Sequence, residues 1–187
     1  MSEGHERKKQ PELVRRALID HAARLATECG LQAVTVQAVA DAAGVTKGGL
    51  FHHFPNKQAL IEAVLKDQLD KFDAIIEETL AQDGDSHGCF TRAYVKANFS
   101  MAEYAPALES TCVALLTDPV ARTHWANWLR TRLKRHHATD SAPELEIVRY
   151  AADGVWLADL QQVPADLRID RDELRKRLLT MATMRPE

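Results

Sequence analysis

Apolar residues recur at helical spacing along most of this 187-residue chain. No stretch alternates apolar and polar residues in the way that a half-buried β-strand does. The clearest stripe, over residues 56–81, consists of Leu60, Ile61, Val64, Leu65, Phe72, Ile75, Ile76 and Leu80. The pattern predicts an all-α protein of about nine helices. These are one helix from Pro11 to about Cys29, two short helices that follow Thr35 and Thr46, and helices over residues 56–81, 88–104, 106–116, 119–137, 143–162 and 170–184.

Residues 35–57 predict two short helices joined by a tight turn. Thr35 and Thr46 are good N-cap residues, because a threonine hydroxyl accepts a hydrogen bond from an unpaired N–H in the first helical turn. The segment Ala43-Gly44-Val45 supplies the turn, and Pro55 ends the second helix, since proline disfavours a helical residue before it. This is the layout of a helix-turn-helix that reads DNA.

The second of these helices has an inward and an outward face. Leu50 and Phe54 fall where they can anchor the helix to a core. The outward positions hold Lys47, Gly48, Gly49 and His52. Each glycine costs about 1 kcal/mol relative to alanine inside a helix. We interpret the glycines as room for a close approach to the backbone, as in a DNA groove.

This region resembles the N-terminal domain of the tetracycline-repressor (TetR) family of bacterial transcription regulators, in the run GVTKGGLFHHFPNKQAL and the upstream TVQAVADAA. The resemblance spans about residues 10–65, a third of the chain. It implies base-facing positions at Gln37, Lys47, Gly48, Gly49 and His52, and phosphate-contacting positions at Thr35, His53 and Lys57. The full predicted DNA-binding set also includes Thr46 and Phe51. Phe51 stands where the family usually has a tyrosine, so a hydroxyl bond to a phosphate is missing here or is supplied by His52.

Composition and charge fit a globular regulator. The chain is 45% hydrophobic and 27% charged, has no run of 18 uninterrupted apolar residues, and begins with the polar stretch MSEGHERKKQPE. We therefore expect a cytoplasmic protein that is neither secreted nor membrane-spanning. The formal net charge is −3, yet residues 1–57 carry a net +2. The basic residues Arg7, Lys8 and Lys9 form either an arm toward DNA or a solvated terminus, and an asymmetry this small also arises by chance.

The chain carries no recognisable reaction chemistry. It lacks a phosphate-cradling glycine motif, a G-x-S-x-G elbow and an H-E-x-x-H helix, so we expect neither enzyme activity nor a cofactor. The cysteines Cys29, Cys89 and Cys112 are odd in number and unclustered in sequence, which argues against a disulfide framework or a zinc site. The pairs His52-His53 and His136-His137 are adjacent in sequence and do not share a helix face, so we expect no metal site.

The part of the chain after residue 88 mixes aromatic and sulfur side chains with a few polar groups. Such residues either pack a bundle core or line an apolar pocket, and the sequence leaves both open. The resemblance favours a pocket, since family members place an inducer site after the DNA reader. A carboxylate beside aromatic faces attracts a lipophilic cation, and Glu109 and Asp153 make that class our expectation. The predicted ligand-binding residues are Phe99, Tyr104, Glu109, Cys112, Trp125, Trp128, Asp153 and Trp156.

The last two predicted helices favour self-association. Residues 143–162 hold Ile147, Tyr150, Ala151, Gly154, Val155 and Ala158, and the final helix has an apolar face of Leu174, Leu178 and Met181. Either stripe could instead cap a monomer core. A single helix-turn-helix touches few base pairs, whereas a two-fold dimer sets two readers about 34 Å apart on DNA. The resemblance implies a dimer interface built from these two helices.

The expected function is that of a ligand-responsive DNA-binding transcription regulator. It would act as a homodimeric repressor that a small hydrophobic effector, cations included, releases from a palindromic operator in double-stranded DNA. We assign the helix-turn-helix DNA-binding domain to residues 1–57 and the effector-binding and dimerisation domain to residues 58–187. Two alternatives stay open. One is a constitutive DNA-binding or scaffold protein without a ligand, and the other is a helical small-molecule-binding protein or enzyme in which the helix-turn-helix is a structural hairpin.

Overall fold

A computed structural model describes residues 3–84, 86–104 and 118–185. Within these ranges the chain forms nine α-helices and no β-strand, which confirms the predicted all-α class. The helices are α1 (Glu3–Cys29), α2 (Val36–Ala42), α3 (Lys47–His53), α4 (Lys57–Gln82), α5 (Cys89–Tyr104), α6 (Pro119–Arg135), α7 (His137–Asp140), α8 (Pro143–Leu160) and α9 (Arg171–Met181). None of these helices is long and apolar enough to cross a membrane.

Among the described helices, every boundary except the start of α1 lies within three residues of the one predicted. Helix α1 begins at Glu3, so Pro11 lies inside the helix rather than at its start. The prediction placed Pro11 at the helix start because proline, which has no N–H to donate, is better tolerated in the first turn than in a helix interior. The helix predicted to run to residue 137 ends at Arg135, because His136 leaves helical geometry (φ −102°, ψ 19°) before the short α7. The predicted helix 106–116 lies outside the described residues.

The described residues divide into two compact units. The first comprises those up to Leu69 together with 118–122, and the second comprises those of 70–104 and 123–185. In the first unit, α1, α2 and α3 pack on the beginning of α4 around fully buried side chains, among them Leu18, Val39, Leu50 and Leu60. Burying one leucine side chain contributes about 1.5–3 kcal/mol. This core fixes the position of the helix-turn-helix.

The core of the second unit lies between α5 and α8, which pack along each other. Its buried side chains come from the second half of α4, from α5, from α8 and from α9, and include Phe72, Ile76, Phe90, Tyr94, Val95, Leu145, Val148, Ala152 and Leu178. Most of the aromatic residues that the sequence left open between core and pocket therefore contribute to this packing.

A buried ion pair and a glycine fix the start of α5. Arg92 donates hydrogen bonds to both carboxylate oxygens of Asp83 at 2.8 Å, and its Nη1 donates to the carbonyl of Ala182 at 3.2 Å. Gly88 has a φ of +67°, and a Cβ on it would lie 2.2 Å from the carbonyl oxygen of Ala182. Both the backbone conformation and the close approach require glycine at this position.

Candidate DNA-binding and effector sites

Two threonine caps define the helix-turn-helix. Oγ1 of Thr35 accepts a hydrogen bond from the N–H of Ala38 at 3.1 Å, and Oγ1 of Thr46 accepts one from the N–H of Gly49 at 3.0 Å. Between the two helices, Gly44 adopts a φ of +65°, a left-handed conformation that side chains with a Cβ rarely take. The predicted caps and turn are confirmed.

One side of α3 is anchored and the other is exposed. Leu50 has no exposed surface, and Phe54, which follows the helix, is only 2% exposed. Lys47, Gly48 and His52 lie on the exposed side. The helix therefore presents one cation, one imidazole and bare backbone to its surroundings.

The fold does not require the glycine at position 48. A Cβ there would contact one side-chain atom within 4 Å, Oγ1 of Thr46 at 3.8 Å, which is an ordinary van der Waals distance. At Gly49 the nearest atom to an added Cβ, again Oγ1 of Thr46, would lie at 3.4 Å. Since glycine inside a helix costs about 1 kcal/mol, its use at a position with room for alanine fits a surface that another molecule approaches closely.

The ten residues predicted to contact DNA all lie in the first unit, on α2, α3 and the positions that flank them. Seven are exposed, namely Thr35, Gln37, Thr46, Lys47, Gly48, Phe51 and His52, while Gly49, His53 and Lys57 are half-buried. The amide Nε2 of Gln37 donates to Asp41 at 2.6 Å, so base contact by Gln37 would require this bond to break. The contacts of these ten residues with DNA stay predictions.

His53 is the titratable group with a shifted pKa in this region. Burial, followed by the neighbouring His52 and Arg15, lowers the pKa of His53 below its ordinary value. The rings of His52 and His53 meet edge-on, with their centroids 5.4 Å apart. His53 is therefore neutral at pH 7, and it offers a phosphate an N–H hydrogen bond rather than a positive charge.

Trp125 and Trp128, two predicted ligand contacts, belong to an aromatic cluster in the second unit. Their ring centroids lie 5.0 Å apart, and both rings contact Phe72 of α4 at 5.9 Å and 5.5 Å. Trp128 also stacks on Tyr94 of α5 at 6.4 Å. Both tryptophans are only half-buried, so each packs on the core and retains exposed surface.

Asp153, the predicted counter-ion, is paired with a phenol. The hydroxyl of Tyr94 donates a 2.5 Å hydrogen bond to Oδ1 of Asp153. Burial raises the pKa of Asp153 to about 6, against the smaller lowering effects of the Tyr94 hydroxyl and of Arg149. Burial also raises the pKa of Tyr94 well above its usual value, with the Asp153 charge acting in the same direction. The pair places a carboxylate that titrates near pH 6 beside aromatic rings.

Trp128 is held by residues that sequence reasoning missed. Its indole Nε1 donates to Oδ1 of Asp73 at 2.6 Å, and the buried Arg132 donates Nε to the same oxygen at 2.7 Å. Arg132 also pairs with Glu77, and this interaction lowers the pKa of Glu77. These partners lie 55 or more positions apart in sequence, so no local pattern signals them.

The remaining predicted ligand contacts are dispersed. Phe99 is buried, with the guanidinium of Arg171 lying 5.2 Å from its ring centroid, and Trp156 is half-buried on α8. The side chain of Tyr104, and residues Glu109 and Cys112, lie outside what the structure describes. An open groove of about 570 Å³ lies between α8 and α9. None of the predicted ligand residues lines it, so the groove does not coincide with the predicted pocket.

The groove belongs to a face of α8 and α9 that exposes apolar side chains. Ile147, Tyr150 and Leu157 of α8 are 59%, 66% and 37% exposed, and Met181 of α9 is 42% exposed. Val155 and Leu178, which the sequence grouped with them, are buried in the core of the second unit instead. The two helices thus use one side for the core and leave the other side apolar and uncovered.

Two family profiles match the chain. The profile described as "Bacterial regulatory proteins, tetR family" matches residues 18–64, and the one described as "Tetracyclin repressor-like, C-terminal domain" matches residues 88–183, just over half of the chain. The first covers the helix-turn-helix, and the second covers α5 to α9.

Individual relatives agree with these profiles. The HTH-type transcriptional repressor KstR2 of Rhodococcus jostii is 36% identical over 57% of this chain, and the match spans only 50% of that relative. The HTH-type transcriptional regulator BetI of Burkholderia mallei is 28% identical over 78% of this chain and 81% of its own length. The fold is similar to that of the multidrug binding protein EbrR complexed with malachite green, with a TM-score of 0.67, 21% identity, and coverage of 89% of this chain and 96% of that one.

Proposed function

We propose that this chain, which belongs to the TetR family of bacterial regulatory proteins, is a homodimeric repressor that a small hydrophobic effector releases from a palindromic operator in double-stranded DNA. The observation that carries the proposal is α3. Leu50 and Phe54 anchor this helix, and its other side exposes Lys47 and the backbone of Gly48. The fold itself does not require glycine at position 48. An exposed helix of this shape fits the major groove.

Within this proposal, residues 1–57 read DNA and residues 58–187 bind the effector and form the dimer. Lys47 is suited to guanine O6 and N7 at the groove floor. Thr35, His53 and Lys57 would hold the backbone, where the N-terminus of α2 adds the partial positive charge of a helix start. A role on the chromosome implies a cytoplasmic protein, and no catalytic role is proposed.

The apolar face of α8 and α9 supports the dimer. Ile147 and Tyr150 of α8 and Met181 of α9 are exposed apolar side chains, and exposed apolar side chains that form a patch are typical of association surfaces. Small neighbours at Ala151 and Gly154, both exposed, allow a second helix to approach closely. A two-fold pairing through this face gives the protein the symmetry that a palindromic operator has.

The aromatic cluster that contains Tyr94, the hydrogen-bond partner of Asp153, supports a hydrophobic effector and favours a cationic one. A buried carboxylate with a pKa of about 6 is largely ionised at pH 7, and the rings of Tyr94, Trp125 and Trp128 lie in the same cluster. Together they offer a lipophilic cation both charge and aromatic faces. The relative EbrR is a multidrug binding protein whose structure holds malachite green, which agrees with this class.

Release follows from linkage. An effector lowers operator affinity only by the difference in its own affinity for the DNA-bound and DNA-free states, and DNA lowers effector affinity by the same factor. Helix α4, which runs from Lys57 to Gln82, carries residues of both units. It is the element through which the two sites would communicate.

A binding titration tests the proposal. An operator is first selected with the purified protein from a random duplex library, and fluorescence anisotropy then compares it with scrambled duplex, with and without tetraphenylphosphonium. The proposal expects preference for the selected duplex and loss of affinity when the cation is added. Preference without release by any lipophilic ligand would instead support a constitutive DNA-binding protein. Absence of sequence preference would contradict the proposal as a whole.

A further inference from the structure

Three metal-ligating side chains meet in the second unit from distant parts of the sequence. Sγ of Cys89, at the start of α5, lies 4.0 Å from Nδ1 of His136 and 3.8 Å from Oδ2 of Asp140, the last residue of α7. Of the His, Cys, Asp and Glu residues that the structure describes, these three form the one group whose ligand atoms all lie within 4.8 Å of one another. Cys89 lies 47 and 51 positions before the other two, so no spacing in the sequence signals the group.

We propose that Cys89, His136 and Asp140 bind a zinc-class divalent cation. A thiolate, an imidazole and a carboxylate are the ligands that zinc takes, at about 2.3 Å for sulfur and about 2.0–2.2 Å for nitrogen and oxygen. Tetrahedral geometry with these bond lengths separates ligand atoms by roughly 3.5 Å. The observed 4.0 Å and 3.8 Å to the sulfur, and a third separation within 4.8 Å, would shorten toward this value on binding. Water or the hydroxyl of Thr139, which lies 3.7 Å from the sulfur, would complete the coordination.

The imidazole of His136 is oriented by stacking. Its ring lies on Phe90 with a centroid distance of 5.3 Å and an interplanar angle of 12°, and this stacking directs Nδ1 at Cys89. A histidine ligates a metal as the neutral imidazole, and Nδ1 is the ring nitrogen that lies 4.0 Å from the sulfur of Cys89. Nε2 of His136 is buried and has no hydrogen-bond partner in the described part of the chain. With Nδ1 as the ligand, the ring proton would reside on Nε2.

Hydrogen bonds hold the carboxylate of Asp140 in place. Oδ1 accepts from the backbone N–H and the hydroxyl of Thr91 at 2.8 Å and 2.7 Å, and Oδ2 accepts from the hydroxyl of Thr139 at 2.8 Å. Asp140 is only 2% exposed. Hydrogen bonds of this kind orient the carboxylates that ligate metals. Oδ2 also accepts from the backbone N–H of Phe90 at 3.3 Å, and it lies 3.8 Å from the sulfur of Cys89.

The charges of the site balance those of a divalent cation. Metal binding replaces the thiol proton of Cys89, which leaves to solvent. Thiolate and carboxylate then supply two negative charges. The start of α5 opposes a cation with about half a positive charge, which the two anionic ligands outweigh.

Cobalt(II), whose colour reports its ligands, is the probe. The reduced, metal-free full-length protein is titrated with Co²⁺ and then with Zn²⁺. The site predicts one equivalent of cobalt with a thiolate-to-metal charge-transfer band and the d–d bands of tetrahedral coordination, all of which zinc abolishes. Cys89→Ser should remove the charge-transfer band, and His136→Gln should weaken binding at least tenfold. The matched controls Cys29→Ser, at an exposed cysteine in the first unit, and His137→Gln, at the adjacent exposed histidine, should leave the spectrum unchanged.

Thermal melts separate loss of the site from loss of the fold. Zinc should raise the melting temperature of the wild type and of both controls, but not that of Cys89→Ser or His136→Gln. If Cys89→Ser does not fold, the pair His136→Gln and His137→Gln decides. The proposed site would be overturned if the wild-type protein gave no charge-transfer band with cobalt. It would also be overturned if the band survived in both Cys89→Ser and His136→Gln, or if Cys29→Ser removed the band.

Discussion

The hydroxyl oxygen of Thr46 lies 3.8 Å from the position that a Cβ on Gly48 would occupy, and it is the one atom that such a Cβ would meet within 4 Å. The same hydroxyl caps α3 through Gly49. An alanine at position 48 therefore fits the folded protein without displacing the cap. The glycine is a feature of the exposed surface of α3 rather than of its packing.

Replacing this glycine separates stability from DNA binding. We expect Gly48→Ala to raise the free energy of unfolding by about 0.5–1 kcal/mol, because alanine favours a helix interior. The added methyl group stands where a base edge would approach, so operator affinity should fall. Chemical denaturation and an operator titration on the same preparation measure both quantities.

The turn glycine supplies the control for this substitution. Gly44 has a φ of +65°, so Gly44→Ala should destabilise the protein and weaken DNA binding together. Undiminished operator affinity in a folded Gly48→Ala variant would show that no base or phosphate approaches α3 at this position.

Lys47 and Lys57 are predicted to play different parts on DNA. Lys47→Ala should cost about 1–3 kcal/mol on the operator and relax sequence preference, because a base contact is lost. Lys57→Ala should weaken binding to all sequences alike and reduce the salt dependence of log K by about one unit, because a phosphate contact is lost. Titrations on operator and scrambled duplex over a salt series distinguish the two. An equal loss on both duplexes for Lys47→Ala would reassign that lysine to the backbone.

Replacing Gly88, at the start of α5, is expected to change stability alone. Gly88→Ala places a methyl group 2.2 Å from the carbonyl oxygen of Ala182 at a φ of +67°. We expect a loss of roughly 3 kcal/mol or more, from left-handed strain and overpacking together. The matched control is Gly84→Ala, where an added Cβ meets nothing within 4 Å. Comparable melting temperatures for the two variants would contradict the contact at Ala182.

The raised pKa of Asp153 should make effector binding depend on pH. Its pKa of about 6 means that the carboxylate gains its charge as the pH rises through 6, so affinity for a lipophilic cation should rise over that range and level off above pH 7. At pH 5 the affinity should be about tenfold below the plateau. Asp153→Asn should bind weakly at every pH. Calorimetric titration with tetraphenylphosphonium between pH 5 and 8 measures this dependence.

The pH dependence of protein stability tests whether the carboxylate of Asp153 is buried. The folded state holds the Asp153 proton more tightly than the unfolded chain, so ionisation removes stability as the pH rises from about 4 through 6. Asp153→Asn should therefore melt at a higher temperature than the wild type above pH 6. Asp159→Asn, on the same helix, removes a carboxylate paired with Arg168 and Arg171 and should not reproduce either effect. A wild-type cation affinity that is independent of pH would remove Asp153 from the effector site.

Local signals allowed the helix-turn-helix to be predicted from the sequence. Thr35 and Thr46 cap the helices that follow them, Gly44 forms the turn, and Leu50 is buried, because each of these features depends on residues within a few positions. The start of α1 was predicted wrongly, because the local preference of proline for the first turn of a helix placed the start at Pro11, which lies inside α1.

Contacts between distant residues were beyond local patterns. The hydroxyl of Tyr94 meets a carboxylate 59 positions away, and Cys89 lies beside residues 47 and 51 positions further along the chain. Val155 was grouped with a stripe that either pairs with a second copy or caps a monomer core, and the packing of α8 on α5 buries it in the core. Such pairings depend on which helices pack together, and helical periodicity gives a buried face without naming its partner.

Hydroxyl-radical footprinting of the full-length protein on its selected operator tests the central claim most directly. A dimer with two α3 readers should protect two half-sites related by two-fold symmetry, with their centres about one DNA turn, or roughly 34 Å, apart. Lys47→Ala should weaken both half-sites equally. A single asymmetric patch, or protection spread evenly along the duplex, would contradict the account of this protein as a dimeric operator-binding repressor.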